Sequence, residues 1–100
     1  MVTLDQIAEQ HMRIIRAMGF RYWKDTFGFY FEKDVYRFSV IQIGPFYDIY
    51  YNKKIQLNFQ LQDKVTGKIS LLEGLQWILN IIRKDINNGT INHSGYLQPS

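Results

Sequence analysis

Hydrophobic positions in the first twenty residues repeat at the helical period. Leu4, Ile7, Ala8, His11, Ile15 and Met18 form one stripe, with Met12 and Ile14 on its flanks. Thr3 and Gln6 have the spacing of a capping box, and Gly19 stands where helices commonly end in a left-handed residue. The pattern predicts a surface helix over 4–18 with one buried face. From Phe20 the period drops to two. Phe27, Phe29 and Phe31 alternate with Gly28, Tyr30 and Glu32, and Tyr36, Phe38 and Val40 alternate with Arg37, Ser39 and Ile41. A two-residue turn at Lys33-Asp34 pairs Phe31 with Tyr36, Phe29 with Phe38 and Phe27 with Val40, which gathers the aromatic set on one face. Phe20 to Trp23 reads as a further short strand or its lead-in.

The cleanest alternation runs through Ile55, Leu57, Phe59 and Leu61, interleaved with Gln56, Asn58, Gln60 and Gln62. A three-residue loop at Asn52-Lys53-Lys54 sets Tyr51, Ile49 and Tyr47 opposite Ile55, Leu57 and Phe59, and keeps Asp48 out of the core. Gly44-Pro45 marks another connection, where proline restricts the tight turns and a bulge is expected. Asp63–Gly67 (DKVTG) has loop composition. Ser70 and Glu73 then form a second capping box ahead of a broad stripe of Leu71, Leu72, Leu75, Ile78, Leu79, Ile82 and Ile86, widened by Trp77 and Ile81. Asn87-Asn88-Gly89 ends this helix.

The order helix, meander, helix predicts an α+β two-layer sandwich. An antiparallel sheet of three to five strands carries the N-terminal and C-terminal helices on one face and leaves the other face open. One domain is expected over 1–89, with a loosely ordered tail over 90–100. The element order resembles that of double-stranded RNA-binding domains in topology alone. Here the second helix opens with Ser70-Leu71-Leu72-Glu73, without their basic start.

Composition narrows the chemistry. The chain holds no cysteine, so disulfides, thiolate catalysis and cysteine-ligated metals are excluded. Its nine carboxylates are scattered singly, and its two histidines, His11 and His93, have no partnered acid or nucleophile nearby in sequence. His11 sits on an apolar stripe and reads as a core histidine bonded within the fold; His93 falls in the tail. No enzyme, cofactor or metal site is expected. Gly67-Lys68-Ile69-Ser70 imitates a phosphate loop but has Gln62 and Ile69 where the motif needs glycine and a hydroxyl residue. What survives is a weak anion site from Lys64, Lys68 and the helix start at Ser70. The Asn88-Gly89-Thr90 and Asn92-His93-Ser94 sequons read as chance matches. The opening MVTLDQIAEQ has two acids and no apolar run, and no stretch approaches the ~20 apolar residues of a membrane span, so a cytoplasmic protein is expected.

Three binding readings remain. Aromatics make up 16% of the chain, more than two helices can cover, so some must stand on the open face. That face is expected to show Tyr30, Arg37, Ser39, Ile41, Asp48, Tyr50, Gln56, Asn58, Gln60 and Gln62, with Tyr30, Arg37 and Tyr50 as anchors for a protein partner or a second copy. A non-catalytic inhibitor or adaptor of bacterial or phage origin, of anti-defence type, fits this size and composition. The alternative uses the net charge of +3. Arg13, Arg16, Arg21 and Lys24 run without an intervening acid among Phe20, Tyr22 and Trp23, a pattern suited to nucleic acid. The small anionic ligand at Lys64–Ser70 is the third reading.

Overall fold

The computed structural model describes residues 2–87. Helix α1 (Leu4–Ala17) starts as its sequence demands: the Thr3 hydroxyl accepts from the Gln6 amide, and the Gln6 side chain accepts from the Thr3 amide. Five strands follow: β1 (Arg21–Lys24), β2 (Gly28–Lys33), β3 (Tyr36–Ile43), β4 (Phe46–Ile55) and β5 (Asn58–Ile69). They pair in chain order as one antiparallel meander. Helix α2 (Leu71–Ile81) opens on the Ser70/Glu73 capping box and passes into a π-helical turn, Ile82–Asn87. Both helices cover one sheet face, giving the two-layer α+β architecture. The proposed tail over 90–100, His93 and both sequons lie outside the described residues.

The core is the seam between the layers. Phe29, Phe31, Phe38, Val40, Ile49 and Tyr51 from the sheet meet Ala8 and Ile15 of α1 and Leu75, Ile78, Leu79 and Ile82 of the C-terminal segment. Phe38 and Tyr51 stack at 4.9 Å between centroids, and Phe20 packs on Phe38 at 6.0 Å. Gly28 is required by its surroundings. A β-carbon there would lie 1.9 Å from the Val40 carbonyl oxygen, so no side chain fits where β2 enters the sheet.

Several turns sit elsewhere than the pattern predicts. The β2–β3 turn is Asp34-Val35, with Asp34 at φ 55°, so Phe31 pairs with Phe38 and Phe29 with Val40. This slip of two residues keeps every side chain on its expected face. Phe27 is not a strand residue; it lies in the β1–β2 turn and is 68% exposed. Gly44-Pro45 is a plain two-residue hairpin, Ile43 facing Phe46, with Gly44 at φ 60° and no bulge. Glycine with positive φ followed by proline near −65° is the sign combination of a type II′ turn.

The β4–β5 hairpin departs furthest. Asn52, Lys53 and Lys54 belong to β4, the turn is Gln56-Leu57, and Leu57 is 86% exposed. Phe59 pairs with Lys54 and Leu61 with Asn52, which moves both off the core face and onto the open one. The helices do not reach this end of β5, since Gln60 on the helix side is exposed. Phe59 and Leu61 would gain no cover there. Asp63–Gly67 is strand rather than loop. Gln62 is an extra residue between the Asn52–Leu61 and Tyr51–Asp63 pairs, and this bulge returns Val65 and Ile69 to the core side. A second irregularity, with Gly67 and Lys68 at φ 94° and 62°, brings the strand to Ser70.

Candidate functional site

Strand pairing lays the open face out in rows across the sheet. The central row reads Trp23, Tyr30, Ser39, Tyr50 and Lys64 from β1 to β5. Beside it runs Arg21, Glu32, Arg37, Asn52 and Leu61, and beyond that Lys54 with Phe59. On the other side of the central row stand Ile41 with Asp48, then Ile43 with Phe46.

Arg37 is the hub. Its guanidinium lies 3.9 Å from the Phe59 ring centroid and 5.7 Å from that of Trp23. Nε donates to Glu32 Oε1 at 2.8 Å, and Nη2 forms an ion pair with the same oxygen at 2.7 Å. Arg21 Nη2 donates to the other oxygen of Glu32 at 3.1 Å and sits 5.4 Å over Trp23. Trp23 stacks on Tyr30 at 5.2 Å, and the Tyr30 hydroxyl donates to Asp25 Oδ2 at 2.8 Å. Asp25 Oδ1 meanwhile accepts from the amides of Phe27 and Gly28, which fixes the β1–β2 turn. One contact chain therefore ties β1, β2, β3 and β5 together above the sheet.

The charges are tuned by these contacts. Partial desolvation works to raise Glu32, but the hydrogen bond and charge of Arg37, then those of Arg21, hold it below the usual carboxylate range. For Asp25 the same opposition is won by hydrogen bonds from Tyr30, Phe27 and Gly28, and its carboxyl is also lowered. Tyr30 is raised by desolvation and by the Asp25 carboxylate that its proton serves.

Tyr30, Arg37 and Tyr50 all stand on the open face, half-buried in their neighbours. Ser39, Ile41 and Asp48 join them, whereas Gln56 is in a turn and Asn58 and Gln60 lie on the helix side. The basic stretch is divided. Arg21 and Trp23 belong to the open face; Arg13 pairs with Glu9 at 3.1 Å on α1, and Arg16 lies over Tyr22 at 5.3 Å on the helix side. Lys24 is exposed and faces the helix side, opposite Phe29. Lys64 is on the open face, while Ser70 starts the helix behind it with its hydroxyl and amide engaged by Glu73. Lys68 stands in the second β5 irregularity, so the three do not converge. His11 Nδ1 donates to the Ile7 carbonyl at 2.8 Å.

Sequence reasoning missed Glu32 and Phe59. The i, i+5 spacing of Glu32 and Arg37 around a two-residue turn was the available signal for the first. A groove of about 350 Å³ between the helix starts is lined by Leu4, Asp5, Ala8, Ser70, Leu71 and Leu72. Among the described residues no group of His, Asp or Glu is placed to hold a metal ion, and no helix is long and apolar enough to cross a membrane. The chain matches no protein-family model, no curated protein and no solved structure.

Proposed function

We propose that this chain is a non-catalytic binding protein whose contact surface is the open sheet face, and that its partner is a protein. The observation that carries this reading is the Arg37 hub. Trp, Tyr and Arg are the residue types that dominate interface energetics, and here they are already stacked and ion-paired. Ordering them in advance removes much of the side-chain entropy that association normally loses. Tyr50, next to Ser39 in the central row, adds a large ring with few torsions to freeze.

A nucleic-acid backbone suits the face less well. Glu32 engages both arginines, Asp48 stands among the same residues, and the rest of the basic stretch faces elsewhere. An inhibitor or adaptor role, in the cytoplasm of a bacterium or carried by a phage, is the setting this reading favours.

Capture from host lysate, with mass determination of both bound protein and bound nucleic acid, tests it. A bound protein that persists at moderate salt and is lost with Tyr50→Ala is expected, at a cost of about 1–2 kcal/mol in association and with the fold intact. Recovery of nucleic acid alone, with affinity falling steeply between low and moderate salt, would transfer the face to the second reading.

A further inference from the structure

The open face is self-complementary, and we infer that its occupant is a second copy of this chain, packed face to face. The inference rests on the reading of that face as a protein-binding surface and names what binds there. Its charges are polarised along the strand direction. Asp25 and Asp48 lie on one side of the central row Trp23–Tyr30–Ser39–Tyr50–Lys64, and Arg21, Arg37 and Lys54 lie on the other, where Glu32 pairs with both arginines and leaves the side net positive. Apolar groups flank both sides: Ile43, 53% exposed, and Phe46 beyond the acids, Phe59 and Leu61, 51% exposed, among the bases.

Consider a two-fold axis lying between two such faces along the central row. It keeps each strand over its own copy and exchanges the two sides. Asp25 then meets Arg21 of the second copy, since both continue the open-face alternation of β1. Asp48 comes over Asn52, beside Arg37 and Lys54. Phe46 reaches the Phe59 side, and the Tyr30 and Tyr50 rings meet their own counterparts near the axis. The acid–base contacts formed this way, Asp25 with Arg21 and Asp48 with Arg37 and Lys54, each occur twice; Lys64, which ends the central row, meets its own counterpart at the β5 edge, and Glu32 comes over Gly28. Reversing the sense, with acids over acids, is repulsive, so the pattern selects one arrangement.

The area suffices. Five strands at roughly 4.8 Å and eight residues at roughly 3.4 Å give a face of about 24 Å by 27 Å, or about 650 Å². Two such faces bury about 1,300 Å² together, within the roughly 1,200–2,000 Å² of stable, specific interfaces. Sheets stacked this way form the ordinary β-sandwich packing, about 10 Å apart with interdigitating side chains.

A complementary charge swap tests the pairing. Sedimentation of the wild-type chain from micromolar to sub-millimolar concentration is expected to show a monomer–dimer equilibrium. Asp48→Lys alone and Lys54→Asp alone should each weaken it by at least about tenfold, because each opposes like charges across the interface. An equimolar mixture of the two variants should recover the dimer. The lysine introduced in one chain then lies beside the aspartate introduced in the other, while the native Lys54 of the first lies beside the native Asp48 of the second. Recovery on mixing also excludes misfolding as the cause of either loss. A wild-type chain that stays monomeric throughout overturns the inference, as does a dimer indifferent to both swaps. Should the chain stay monomeric while Tyr50→Ala still abolishes capture of another protein, the binding face stands and only the second copy is lost.

Discussion

Phe38 and Phe59 are the same residue type two strands apart, yet they do opposite work. Phe38 is fully buried between Phe20, Phe31 and Tyr51, so Phe38→Ala should lower stability by roughly 3–5 kcal/mol. Phe59 covers one flank of the Arg37 guanidinium on a solvent-facing surface, and Phe59→Ala should cost roughly 1 kcal/mol or less. Urea midpoints of the two variants check the pair. A Phe59→Ala midpoint as low as that of Phe38→Ala would return Phe59 to the core, the face its alternation with Leu57 and Ile55 predicts.

Among the elements, the helices are the most legible in sequence. Each opens on a capping box whose two hydrogen bonds form as the Thr3/Gln6 and Ser70/Glu73 spacings require. Strands β2 and β3 are legible in their faces and misread in their register, because a slip by an even number of residues leaves alternation unchanged. That is why alternation alone puts Tyr30, Arg37 and Tyr50 on the open face. The β4–β5 hairpin slips by an odd number, which inverts Phe59 and Leu61, and alternation carries no mark of which face is which. Gln56 at φ 61° sets this turn without being glycine. The left-handed region costs a non-glycine residue about 1 kcal/mol or somewhat more. Gln56→Gly should therefore raise the thermal midpoint modestly, by an amount corresponding to up to about 1 kcal/mol. A lowered midpoint would place the turn elsewhere.

Across the whole molecule, the two layers are linked electrostatically as well as by packing. Burial of Tyr51, then the Asp85 carboxylate from the C-terminal π-helical turn and the Tyr36 ring, pushes its hydroxyl up to about 12. A phenol raised in the folded state stabilises the fold fully below the unfolded value near 10, and this contribution is lost as pH climbs through the folded one. Stability should accordingly fall between about pH 10 and about 12, and Tyr51→Phe should fall less over the same window. Urea midpoints of both chains across that range are the measurement. Parallel curves would detach Tyr51 from the alkaline transition.

The extra residue at Gln62 makes one strand serve two surfaces. Before it, β5 gives Phe59 and Leu61 to the open face; after it, Val65 and Ile69 go to the core. The genetic consequence is asymmetric. Replacing Gln62 removes an exposed side chain and its one solvent-facing hydrogen bond to the Gln60 carbonyl, so many codons are tolerable at that position. Deleting it restores unbroken alternation and forces a choice between the two halves. Either Phe59 and Leu61 turn to the side that no helix covers, or Val65 and Ile69 leave the core for water. This stretch of the chain is permissive in spelling and strict in length.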